Sequence, residues 1–138
     1  MQLVEVRLPN VELLDAFLMA AGSSLSSFRY FAKREKSALA KHLVTLVGVE
    51  GAEPMAYGHL DVDECATWLG VCVAEKYTGR GLGREVVQAL VNRADLVSRE
   101  VWLTVDESNY RAKSLYDSFG FSVVKILNGV YYMRRERR

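Results

Sequence analysis

Apolar and polar residues alternate in "LVEVRL" (Leu3–Leu8), the period of a strand with one buried face, and Pro9-Asn10 ends it. The period then changes. In "NVELLDAFLMAA", Val11, Leu14, Leu18 and Ala21 share one helical stripe, with Asn10 placed to cap and Gly22 to stop the helix. "SSLSSFRYFAKREKSALAKH" reads as a loop followed by a short helix. "LVTLVGVEG" and "PMAYGHLDV" read as two strands of a hairpin, turned between Gly48 and Pro54. "ATWLGVCVA" is a nearly unbroken apolar run, the pattern of a central strand buried on both faces. Leu82, Val86, Leu90 and Ala94 then mark one face of a long helix. "EVWLTVD" is a strand, "NYRAKSLYDSFG" a helix, and "VVKI" with "GVYYMRR" a closing hairpin turned at Asn128-Gly129. The order β-α-(α)-β-β-β-α-β-α-β-β predicts one α/β domain over residues 1–138, a mixed sheet with helices on its faces.

Composition narrows the picture by exclusion. With 138 residues, 50% hydrophobic and 25% charged, the chain suits one soluble globular domain. A net charge of +1 gives no electrostatic case for nucleic acid or an acidic membrane, and the basic end "MRRERR" reads as a solvated tail. Cys65 and Cys72 make no disulfide framework; Cys72, inside "WLGVCV", reads as a buried, inert thiol. His42 and His59 stand apart, without metal-ligand spacing. Neither a signal-peptide pattern nor an apolar run of membrane length is present, so a cytoplasmic location is expected.

The segment "EKYTGRGLGREVVQALV" (Glu75–Val91) places Gly79, Gly81 and Gly83 just where a helix begins. Helix interiors penalise glycine, so bare backbone is needed there for another reason. A helix N-terminus exposes unpaired N–H groups at the positive end of its dipole, and glycine lets an anion reach them. A strand, "TGRGLG" and a helix therefore form a recipe for a pyrophosphate site, with Arg80 and Arg84 adding charge. The P-loop pattern GxxxxGK is absent, and the G-x-G-x-G spacing differs from the dinucleotide fingerprint. Spacing alone leaves open a glycine turn with no ligand.

"VCVAEKYTGRGLGREVVQALV" resembles the coenzyme A signature of the GNAT superfamily of acyl-CoA N-acyltransferases. Val73, Tyr77, Gly79, Gly81, Leu82 and Gly83 fall on its fixed positions; Thr78 departs from the usual Gln or Arg. "DESNYRAKSLYDSFGF" (Asp106–Phe121) resembles the family's downstream motif N-x-x-A-x-x-L-Y-x-x-x-G-F through Asn109, Ala112, Leu115, Tyr116, Gly120 and Phe121. The resemblance is good from Val44 to Phe121, and the first forty residues are compatible with it. It implies a central mixed, mostly antiparallel sheet of six to seven strands, flanked by helices and splayed between the fourth and fifth strands. Acetyl-CoA would enter that gap. Backbone groups of Val71, Cys72 and Val73 would pair with its pantetheine arm like an added strand. The N–H groups across Gly79, Arg80, Gly81, Leu82, Gly83 and Arg84 would hold the pyrophosphate, and Asn109 would cap the next helix and touch the arm.

The resemblance also implies a reaction: direct attack of a neutral amine on the thioester, with a proton supplied to the departing thiolate. Tyr116 stands at the family's proton-donor position. By pattern alone it is equally a core tyrosine, on one stripe with Ala112, Leu115 and Phe119. Some relatives carry a glutamate base where this chain has Trp68 or Thr104, neither of which accepts a proton at neutral pH. His59, with Asp61 and Asp63 on the same strand face, and a chain of ordered water remain the alternatives. "SSFRYFAKR" (Ser26–Arg34) mixes aromatic and basic residues where relatives line the acceptor pocket; it suits a compact acceptor bearing a carboxylate or phosphate, or simply a solvated helix face. The expected protein is an N-acetyltransferase acting on a primary amine of a small-molecule acceptor, a monomer or homodimer with no metal, nucleic acid or membrane partner. Acetylation of protein N-termini or lysines, and a non-catalytic acyl-CoA-binding module, are the alternatives.

Overall fold

The computed structural model describes residues 1–26, 28 and 36–138. Seven strands form one sheet in the order β1-β2-β3-β4-β5-β7-β6. They are β1 (Gln2–Glu5), β2 (His42–Glu50), β3 (Glu53–Val62), β4 (Thr67–Val73), β5 (Val101–Asp106), β6 (Ser122–Leu127) and β7 (Val130–Arg135). Three α-helices are described: α1 (Glu12–Ala20), α2 (Leu82–Leu96) and α3 (Tyr110–Ser118). Short 3₁₀ turns at Gly22–Ser26, Lys36–Lys41 and Glu75–Tyr77 join them. Every pairing is antiparallel except that of β4 with β5.

Strand alternation sends side chains to two cores. On one face, Val44, Leu46, Leu60, Leu69, Val101, Leu103 and Met133 pack under α2 and α3, meeting Val86, Val87, Leu90 and Tyr116. On the other, Val47, Val49, Met55, Tyr57 and Cys72 pack against Leu14 and Phe17 of α1. The α2 stripe lies over Gly58, where an added Cβ would collide with Val86, so glycine at this point lets helix and sheet approach closely.

Four local expectations change. The first strand stops at Glu5, not Leu8, because the chain turns back through Arg7, whose carbonyl accepts from Asn10 N at 2.9 Å. Asn10 does not cap α1: the helix begins one residue later than expected, at Glu12, with the Val11 carbonyl accepting from Asp15 N at 2.9 Å, so Val11 holds the cap position without a side-chain bond. The β2–β3 turn is shorter than the span Gly48 to Pro54: the ladder continues to Glu50 and Glu53 because Val49 and Met55 are both buried, leaving Gly51 at φ +62° to turn the chain. Finally, β4 is not buried on both faces. Thr67, Leu69 and Cys72 are buried, whereas Trp68, Gly70, Val71 and Val73 are half-buried because they border a cleft.

Candidate active site

The site begins with a failure of strand pairing. β4 and β5 run parallel but share a single register pair among the described residues, Trp68 with Trp102. Beyond it the strands diverge, and a cleft of about 1920 Å³ occupies the seam. Val71, Cys72 and Val73 form one wall, Thr104, Val105 and Asp106 the other. Backbone groups of β4 that would bond a neighbouring strand therefore face open space, where an extended ligand arm can pair with them.

Where β4 ends, the chain passes through Tyr77 and Thr78 into the glycine turn. Gly79 and Gly81 hold φ +80° and +79°, a left-handed conformation that side chains resist. Gly81 is the N-cap of α2 and supplies no side-chain cap, so the first N–H groups of the helix stay exposed at its positive end. Gly83 is different. Its φ is ordinary, and an added Cβ would meet Leu115 and Val73 at 3.5 and 3.7 Å, normal contact distances. The fold itself does not require glycine there, although Gly83 borders the cleft.

The arginines divide. Arg84 borders the cleft, but its Nη1 donates to Ser118 Oγ at 3.2 Å and its guanidinium lies 5.5 Å from the Phe119 ring. Arg80 stacks on Tyr77 at 5.3 Å, outside the lining of the cleft. Arg111, which the motif reading did not single out, comes from the first turn of α3 and brings Nη1 within 3.9 Å of where a Cβ on Gly79 would stand. Only its position two residues after Asn109 hinted at it. Asn109 caps α3, its Oδ1 accepting from Ala112 N at 3.2 Å, and also borders the cleft.

Tyr116 projects from α3 to the seam and is 7% exposed. Its ring meets Phe121 edge-on at 6.0 Å. Burial, with the nearby Cys72 thiol adding to it, pushes the phenol well above its ordinary range, so the hydroxyl is protonated at neutral pH. Burial likewise pushes the Cys72 thiol up to about 12, which fits an inert sulfhydryl and not a nucleophile. Tyr116 thus belongs both to the core and to the cleft wall.

At the paired end of the seam stand His59, Asp61, Asp63 and Trp68. Asp63 is tied into a turn: it accepts from the N–H groups of Cys65 and Ala66 at 2.8 and 2.7 Å and from Trp68 Nε1 at 2.9 Å. Those bonds hold its carboxyl below the usual range, making it a poor proton acceptor. His59 is 2% exposed, and its Nδ1 lies 2.7 Å from Tyr57 Oη. Ser24, Lys41 and Tyr132, none of them marked by a motif, also line the cleft, as does Phe28 of the "SSFRYFAKR" segment. Most of the "SSFRYFAKR" segment lies outside the described residues. Among the described residues, no cluster of His, Cys, Asp or Glu is placed to hold a metal ion, and no helix is long and apolar enough to cross a membrane.

This geometry defines a class: an α/β protein with a splayed sheet seam leading to a glycine-rich helix N-terminus. Residues 11–121 match the acetyltransferase (GNAT) family model, and the chain belongs to that family of acyltransferases. A curated relative, the N-alpha-acetyltransferase of Saccharolobus solfataricus, is 32% identical over 65 residues, a match spanning 46% of this chain and 39% of the relative. Among solved structures, the PaiA N-acetyltransferase of Thermoplasma acidophilum in complex with coenzyme A superposes with a TM-score of 0.72 at 16% identity, covering 99% of both chains. The ribosomal-protein-S18-alanine N-acetyltransferase of Escherichia coli gives a TM-score of 0.74 at 19% identity, over 99% of this chain and 93% of that one. At such identities the likeness is one of fold.

Proposed function

We propose that this protein transfers an acetyl group from acetyl-CoA to a primary amine of a small-molecule acceptor by direct attack, acting in the cytoplasm as a monomer or homodimer. The observation that carries the reading is the seam itself: one strand pair at Trp68 and Trp102, then an open cleft ending at the glycine turn. Acetyl-CoA fits that shape in three places. Exposed N–H groups from Gly79 to Arg84 suit its pyrophosphate, with Arg111 nearby; the free edge of Val71–Val73 suits the pantetheine amides; and Asn109 flanks the arm.

The residues divide the chemistry. The amine attacks the thioester carbonyl, the C–N bond forms, and the C–S bond breaks. Tyr116, held protonated in the cleft wall, gives its proton to the leaving thiolate and recovers one from the nitrogen. Cys72 takes no covalent part, because its thiol stays protonated. A peptide N-terminus as acceptor is the second reading, favoured by the 32% identity to an N-alpha-acetyltransferase.

The test uses purified protein. Acetyl-CoA is expected to raise its melting temperature, and a panel of alkylamines, amino acids and short peptides to release free CoA thiol in amounts matched by acetylated product. Neither stabilisation nor thiol release with any amine would overturn the reading.

A further inference from the structure

Two neighbouring side chains in the first turn of α3 border the cleft without a polar or ring partner among the described residues. Tyr110 is 79% exposed, and no other aromatic side chain among the described residues is as open. Arg111 follows it, with Nη1 3.9 Å from where a Cβ on Gly79 would stand, yet it makes no hydrogen bond, ion pair or ring contact among them. The other arginines of the turn are occupied, Arg84 with Ser118 and Phe119, Arg80 with Tyr77. Neither side chain serves its helix. Asn109 supplies the cap, and a cation in a first turn opposes the helix dipole, which favours an anion there. A guanidinium presents paired donors suited to a phosphate, and an uncovered aromatic face suits a nucleobase.

We propose that Arg111 and Tyr110 bind the far end of the donor, the guanidinium taking the 3′-phosphate of the adenosine and the tyrosine ring stacking on the adenine. The inference rests on acetyl-CoA lying in this cleft, and it adds what the donor must carry beyond its pyrophosphate. Order along the cleft sets the assignment. With the thioester at Tyr116, the arm on Val71–Val73 and the pyrophosphate on the turn, a nucleotide continuing outward meets the side of Gly79 that Arg111 faces. Such contacts select among donors. A thioester on a 3′-phosphorylated nucleotide engages both residues, whereas the same thioester on phosphopantetheine alone, the form borne by a carrier protein, engages neither.

Calorimetry with acetyl-CoA, 3′-dephospho-acetyl-CoA and S-acetyl-4′-phosphopantetheine tests this on the full chain. The wild type is expected to bind acetyl-CoA about tenfold tighter than the dephospho form, as suits a charge-assisted phosphate contact. Arg111→Gln is expected to erase that preference, weakening acetyl-CoA about tenfold and leaving the dephospho form unchanged. Tyr110→Ala is expected to weaken both nucleotide donors about fivefold or more, without effect on S-acetyl-4′-phosphopantetheine, and Tyr110→Phe to restore them. Because both side chains are exposed, the melting temperature of each variant without ligand is expected to match the wild type. Equal weakening of acetyl-CoA and its dephospho form by Arg111→Gln would put the guanidinium on the pyrophosphate and overturn the proposal. Unchanged binding in either Arg111→Gln or Tyr110→Ala also overturns it. A wild type that binds none of the three thioesters would instead count against the transferase reading.

Discussion

Trp68 of β4 and Trp102 of β5 stand opposite each other, ring centroids 6.0 Å apart, as the one register pair joining these parallel strands among the described residues. Each indole is also held from its own strand end, Trp68 by Asp63 and Trp102 by Glu100. The pair is the latch from which the seam opens. A double-mutant cycle of Trp68→Ala and Trp102→Ala, read by urea unfolding, is expected to give a coupling of about 0.5–1.5 kcal/mol. Additive losses would show that the seam is held shut elsewhere.

Gly83 separates the needs of the fold from those of a ligand. With an ordinary φ and normal contact distances to Leu115 and Val73, Gly83→Ala is expected to stabilise the protein by about 0.4–1 kcal/mol. The same change is expected to weaken acetyl-CoA binding, measured by calorimetry. A variant both more stable and equally tight would remove Gly83 from the phosphate cradle.

Gly81 behaves oppositely. Nothing lies within 4 Å of an added Cβ, so Gly81→Asp meets no clash, but at φ +79° it costs about 1–2 kcal/mol of backbone strain. The folded variant is expected to lose the acetyl-CoA-induced rise in melting temperature, because a carboxylate then faces the phosphates. An undiminished rise would sink the assignment of the turn.

Tyr116→Phe retains the ring and its contact with Phe121, so the fold is expected to survive. Turnover is expected to fall at least about tenfold, given that general-acid contributions run about 10²–10⁴-fold. Acetyl-CoA affinity should change little. Normal turnover with reduced stability would return Tyr116 wholly to the core.

Arg135, 5% exposed, grips Asp95 through two nitrogens at 2.7 and 3.1 Å and donates Nε to Phe119 O, tying β7 to α2 and to the end of α3. Its hydrogen bonds hold the Asp95 carboxyl below the usual range. A lowered folded pKa means this stabilisation is present above the unfolded value of about 3.9 and lost as pH falls through the folded one. Asp95→Asn is expected to cost about 1–3 kcal/mol at neutral pH, the gap to wild type closing in acid, as urea titrations across pH would read.

Much of this protein is decided locally. The α2 stripe, the Asn109 cap, the glycine turn and the Asn128-Gly129 hairpin depend on residues close together in the chain, so periodicity and motif spacing revealed them, along with the family. Expectations failed where a local signal competed with longer-range pairing. Asn10 is a good cap left one residue outside α1 by the turn that pairs it with Arg7, and Gly48 is a good turn residue that its pairing with Ala56 kept in the strand. Within the site, local order could offer His59, Asp61 and Asp63 as equals on one strand face. Only packing distinguished them, because Asp63 meets the turn at Cys65 and Ala66 while His59 meets the vacant side of Gly70 on the neighbouring strand. Arg111 reaches the glycine turn, and Arg80 leaves the cleft for Tyr77, for the same reason. The sequence by itself determined which elements form and the glycine turn before α2, whose geometry follows from short-range φ preferences. The direction of each charged or titratable side chain was decided by tertiary structure alone, because it depends on what the neighbouring strand or helix places opposite it.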